Sequence, residues 1–92
     1  MTELNLHGIP RYMHGGIVRY VENGIPPGHF LTAVFANDFM EAARRADDTN
    51  ASCIHEYIRL LPSLPIGCHG SPEAVREWIG HRGLHGLNRE DS

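Results

Sequence analysis

The sequence predicts an all-α fold of about four short helices in one small domain, assembled as a homo-oligomer. Apolar residues recur at three and four residue spacing along most of the chain, and no stretch alternates apolar with polar over the length of a strand. Glycines and prolines fall in clusters that mark joints between short helices. With 92 residues, 41% hydrophobic and 21% charged, the chain has the make-up of one globular core. The domain is expected to span 1–92, with an arm at 1–14, a helical core at 15–80 and a fraying tail at 81–92.

The first helix is expected over Gly16 to Glu22, where Ile17, Tyr20 and Val21 share one face, and Gly24 can supply a left-handed stop. Ile25-Pro26-Pro27-Gly28 forces a rigid turn, because proline fixes φ and restricts the residue before it. A second helix starts near Pro27, and Leu31, Val34, Phe35, Phe39, Ala42, Ala43 and Ala46 hold helical spacing over four turns. Opposite them lie Asn37, Glu41, Arg44 and Arg45, with the two arginines placed to pair with Glu41 on a solvated face. Asp47-Asp48-Thr49-Asn50 offers caps for a third helix running to about Leu61, with Ala51, Ile54, Tyr57, Ile58 and Leu61 inward. Pro62-Ser63-Leu64-Pro65 ends it. Ser71-Pro72-Glu73 is a well-formed start for a fourth helix, whose inner face is Ala74, Val75, Trp78 and Ile79. In the tail, Leu84 and Leu87 are the residues able to dock on a neighbour.

Composition narrows the function. The longest apolar run, Ala33-Val34-Phe35-Ala36, is far below the roughly 20 residues of a membrane span, so no membrane partner is expected. Met1-Thr2-Glu3-Leu4 lacks the basic residue and apolar block of a secretory leader, which points to a cytosol, where Cys53 and Cys68 stay reduced. A net charge of −3 disfavours a long DNA or RNA partner, which requires an excess of cations.

No catalytic or metal constellation stands out. Cys53-x-His55 and Cys68-His69 have the wrong spacing for a zinc site, since neighbours two apart on a helix point about 200° from one another. Ser52, Ser63, Ser71 and Cys68 sit in no nucleophile elbow, and Asp38 and Glu41 read as helix-surface charges before they read as an acid and base. The expectation is a binding protein without enzymatic activity, cofactor or metal.

The residues that can bind are those at helix starts. Free amides at Pro27-Gly28-His29 and Gly70-Ser71-Pro72 attract anions, although every helix has such an end and a plain cap is the simpler account of each. Thr32, His29 and Arg45 add donors, and Tyr12 offers a face on which a base can stack. All eight basic residues are arginines, whose planar fork suits phosphate. The expected ligand-binding set is therefore Tyr12, Pro27, Gly28, His29, Thr32, Arg45, Gly70 and Ser71, converging within one chain or across a subunit boundary. Self-association is expected because Ile17, Tyr20, Phe30, Leu31, Phe35, Phe39 and Trp78 present more apolar surface than such short helices can bury.

The segments Tyr20-Val21-Glu22-Asn23-Gly24-Ile25-Pro26-Pro27-Gly28, Phe30-Leu31-Thr32-Ala33-Val34, Asn37-Asp38, Arg45-Ala46-Asp47, Asn50 and Gly70-Ser71-Pro72-Glu73 with Trp78 together resemble a family of small accessory proteins encoded by tailed phages and prophages. The resemblance spans Arg19 to Ile79. It implies a protein that counters host defence in the host cytoplasm. One class of such proteins, of the anti-CBASS and anti-Thoeris kind, holds a cyclic dinucleotide or related nucleotide signal without cleaving it. Another resembles anti-CRISPR proteins and blocks a host complex through a protein interface. The anion-ready helix starts and the arginines favour the first.

Overall fold

The computed structural model describes residues 4–90, with side chains through residue 87. Met1-Thr2-Glu3, on which the leaderless reading rests, and residues 91–92 lie outside the described residues. The described chain is helical without strands, as the spacing predicts, but it holds seven α-helices in place of about four. They are α1 (Arg11–Asn23), α2 (His29–Phe35), α3 (Phe39–Arg45), α4 (Asp48–Ala51), α5 (Ile54–Leu60), α6 (Pro72–Gly80) and α7 (Gly83–Glu90), with a 3-10 turn at Leu61–Ser63.

The extra helices come from breaks that polar residues introduce. The expected four-turn helix from Phe30 to Ala46 is two helices, α2 and α3, folded against each other. Asn37 adopts a left-handed φ of 64°, which asparagine tolerates better than most side chains. Asp38 then caps α3, its Oδ1 accepting from the Glu41 amide at 3.2 Å. Asn37 and Asp38 fit the polar face of a continuous helix equally well, so periodicity alone hides the reversal. The third expected helix also divides. Asp47 caps α4 through Oδ1, which accepts from the Asn50 amide at 2.7 Å, and the chain restarts at Ile54 in a new phase. Tyr57 and Leu60 consequently face the core, while Ala51 and Ile58 are exposed.

Other expectations hold. Gly24 ends α1 with a left-handed φ of 65°, its amide donating to the Tyr20 carbonyl at 2.9 Å. Ser71 caps α6, Oγ accepting from the Ala74 amide at 3.1 Å, with Pro72 in the first turn. The start of α1 lies upstream of its expected position, so the arm ends at Pro10 instead of residue 14.

One core gathers these elements. The rings of Tyr20 and Phe35 stack at 4.5 Å with 7° between planes, and Phe30 meets Tyr57 edge-on at 5.0 Å. Trp78 is buried, and its Nε1 donates to the carbonyls of Tyr20 at 2.9 Å and Val21 at 3.2 Å, which fastens α6 to α1. The apolar side chains offered as grounds for self-association are thus largely consumed within one chain. Ile17, Tyr20, Phe30, Leu31, Phe35 and Trp78 are all buried, and Phe39 is half-buried.

Within the expected tail, α7 packs along α1 with Leu84 and Leu87, the residues able to dock, half-buried on the core. Its glycines serve close approach. A Cβ on Gly83 would lie 2.6 Å from the Gly24 amide nitrogen and 2.7 Å from the Val21 carbonyl oxygen, and both glycines have φ of 65°. Gly83→Ala therefore combines left-handed strain with a backbone overlap and is expected to destabilise by about 3 kcal/mol or more. Gly67→Ala, at φ 94° but with open space around it, should cost only about 1–2 kcal/mol. Urea unfolding of both variants checks this, and equal midpoints would refute the tight α1–α7 contact.

Candidate functional site

The concave feature beside α1 is built by the chain reversal at Gly24. After that glycine, Ile25-Pro26-Pro27-Gly28 runs back alongside α1 and delivers the chain to α2. The resulting groove encloses about 340 Å³ and is lined by Tyr12, Met13, Gly16 and Arg19 from α1, by Ile25 through Gly28, and by Leu31 from α2. Its walls are mostly apolar, and two fixed proline φ angles hold one wall in shape before any ligand arrives.

Arg19 is the cation in this groove. Four other arginines are engaged on their own helices: Arg44 and Arg45 with Glu41, Arg59 with Glu56, and Arg76 with Glu73. Among the described residues no carboxylate pairs with Arg19. Tyr12 stands at the groove's lip with 62% of its surface exposed, and its hydroxyl donates to Asp47 Oδ2 at 2.7 Å. That bond fixes the ring from outside, leaving a face available. Asp47 is the centre of a short polar chain, because its other oxygen caps α4 at Asn50, and the buried Asn50 Oδ1 accepts from the Tyr57 hydroxyl at 2.6 Å.

Of the residues expected to bind, the groove brings together Tyr12, Pro27 and Gly28. It does not include His29, Thr32, Arg45, Gly70 or Ser71. Thr32 Oγ1 donates to the Pro27 carbonyl at 3.3 Å, and the Arg45 Nε donates to Glu41 Oε2 at 2.6 Å. The Gly70 amide donates to the Phe35 carbonyl at 2.7 Å, and the Ser71 hydroxyl is the α6 cap. Gly28 and Gly70 thus sit at opposite ends of α2, whose seven residues separate them by about 10 Å. Two helix starts and Arg45 therefore do not converge within one chain, and α2 is too short to build a strong dipole at Gly28. Arg19 is one of the eight arginines but lies outside the expected binding set. The signal that points to it is the pair Gly15-Gly16, three and four residues earlier on the same helix.

The nucleophile candidates are occupied or shielded. Cys68 has no exposed surface, and burial pushes its thiol up to about 12. Cys53 is raised as well, by partial burial and then by the charges of Glu56 and Asp47, and its Sγ donates to the Thr49 carbonyl at 3.2 Å. Glu41 is held below the usual carboxylate range, first by the hydrogen bond from Arg45 and then by the charge of Arg44 beside it. Among the described residues no three His, Cys, Asp or Glu side chains gather into a metal site.

Asp47 is held below its ordinary value, first by the Asn50 amide and then by the Tyr12 hydroxyl. A carboxyl depressed in the folded state stabilises the fold above its unfolded pKa, about 3.9, and that contribution disappears as pH falls through the folded value. Asp47→Asn is accordingly expected to lower the melting temperature at pH 6, with the gap from wild type narrowing toward pH 3. A gap independent of pH in thermal melts would show that ionisation of Asp47 is irrelevant.

The chain matches no protein-family model, no curated protein and no solved structure.

Proposed function

We propose that the protein is a non-catalytic binder that holds a small phosphate-bearing nucleotide in the groove between α1 and the Pro26-Pro27 wall. One observation carries the reading: an arginine without a carboxylate partner among the described residues shares a groove of about 340 Å³ with a tyrosine ring and rigid apolar walls. A guanidinium fork pairs with phosphate oxygens in a bidentate manner, and a planar base stacks on tyrosine or lies flat on proline. Holding without turnover is supported by the engagement of Ser71, Cys68 and Glu41 in capping, burial and ion pairing. Sequestering a cyclic dinucleotide or a related defence signal in the host cytoplasm is the role that the phage-protein resemblance gives such a binder.

Self-association belongs to the same proposal, but its surface is different from the one the sequence indicates. It rests on the exposed large apolar side chains Ile25, Met40, Ile58 and Ile66. Met40, 82% exposed, and Ile66, 97% exposed, also favour the second reading, a protein-targeting inhibitor, since such side chains anchor protein interfaces.

Calorimetry with cyclic AMP, cyclic di-AMP, cyclic di-GMP and ADP-ribose at tens of micromolar tests the first reading. Heat of binding is expected from at least one. Arg19→Ala should weaken that binding about tenfold or more through loss of the bidentate partner, whereas Arg45→Ala should leave it nearly unchanged. No heat from any of the four would overturn the reading in favour of the inhibitor, and a ligand recovered chemically altered would make the protein an enzyme.

A further inference from the structure

Gly15 and Gly16 stand side by side in the interior of α1, where each disfavours the helix relative to alanine. Neither has a positive φ that would demand glycine. Gly15 is exposed, so close packing against another element does not account for it. What a side chain there would meet is specific. The three nearest atoms to a Cβ on Gly15 all belong to the Arg19 guanidinium: Nη1 at 2.9 Å, Cζ at 3.6 Å and Nη2 at 3.7 Å. A Cβ on Gly16 would lie 3.6 Å from Leu31 Cδ1 and 3.9 Å from Arg19 Nη2.

The direction follows from helix geometry. Side chains on an α-helix lean toward its N-terminus, so residue 19 covers the turn that residues 15 and 16 occupy. With no Cβ on that turn, the arginine can lie flat along the helix, its fork over Gly15 at the edge of the groove that Gly16 and Arg19 line.

We propose that Gly15 leaves α1 bare so that the Arg19 guanidinium lies flat against the helix at the edge of the groove, making Gly15 a positioning residue for the ligand's phosphodiester. The proposal rests on the nucleotide reading above. It gives glycine a use at residue 15, where alanine would favour the helix; at residue 16 a Cβ would meet Leu31 and Arg19 only at ordinary contact distance. It also separates folding from binding: the atom nearest a new methyl group at residue 15 is the far end of a flexible side chain, which can move aside without disturbing the core.

The test uses the full chain as wild type, Gly15→Ala, Arg19→Ala and the double variant, titrated with cyclic AMP, cyclic di-AMP, cyclic di-GMP and ADP-ribose and melted thermally. Gly15→Ala is expected to raise the melting temperature while weakening binding about fivefold, and to add nothing further once Arg19 is alanine. A merely structural glycine would not move stability and affinity in opposite directions. A nuclear Overhauser contact between the Gly15 α-protons and the Arg19 δ-protons, measured without ligand, should be present in the wild type. Its absence would overturn the proposal, as would a Gly15→Ala variant that binds as tightly as wild type or loses affinity additively with Arg19→Ala. Failure of the wild type to bind any of the four nucleotides while the contact is present would overturn the nucleotide reading and this role for Gly15, leaving only the side-chain geometry.

Discussion

Tyr20 has no exposed surface, and its separate parts are committed to different elements. Its ring stacks on Phe35 of α2, its hydroxyl donates to the Cys68 carbonyl at 2.6 Å, and its own carbonyl accepts from Trp78 of α6 and from the Gly24 amide. A phenol taken out of water needs such a partner, because an unpaired hydroxyl in a core costs several times what the bond itself contributes. The loop that carries Cys68 is therefore pinned to α1, and two residues later the Gly70 amide pins the same loop to the end of α2. Ser71 starts α6 from that fixed point, and α6 returns Trp78 to the backbone of α1. Each step depends on the one before, and all of them pass through Tyr20.

The groove is a consequence of the same anchoring. With the Ile17, Tyr20 and Val21 stripe of α1 turned inward, the adjoining stripe of Tyr12, Gly16 and Arg19 faces the returning Pro26-Pro27 segment. Gly24 makes that return possible, since its left-handed φ reverses the chain, and its missing side chain admits the start of α7 at Gly83. One glycine thus joins core packing to the shape of the site. On that side the prolines fix φ along the wall, and the Tyr12 hydroxyl donates to Asp47.

Glycine carries opposite meanings at different places in this short chain. At Gly24 and Gly83 it permits backbone contact that any side chain would block, and at Gly86 a side chain would overlap the His81 carbonyl. At Gly15 and Gly16 the backbone is ordinary helix, and the space is used by a side chain. A tail rich in glycine reads as loose when each residue is taken alone. In the folded chain Gly83 lets α7 lie against α1, and the apolar contacts of Leu84 and Leu87 hold it there.

Much of the helical character was legible because it is local. Three and four residue spacing, the Gly24 stop, the Asp47 and Ser71 caps and the inward Trp78 each depend on neighbours within about one turn. The sequence alone also determined the rigid turn at Pro26-Pro27, since proline's ring sets φ wherever it occurs. The tertiary structure decided the rest. Whether Asn37-Asp38 lies on a polar helix face or reverses the chain depends on what α3 finds to pack against, which is the returning α2. The pairing of Arg45 with Glu41 is local, at i,i+4 spacing, and legible in the sequence, but that Arg19 lines the groove follows from where the Pro26-Pro27 segment returns in space. Likewise Gly28 and Gly70 look equivalent as helix starts, yet the bond from Gly70 to Phe35 sets them at opposite ends of α2. Local pattern selects the elements, but a site is a convergence of distant residues, and that is fixed only when the core closes.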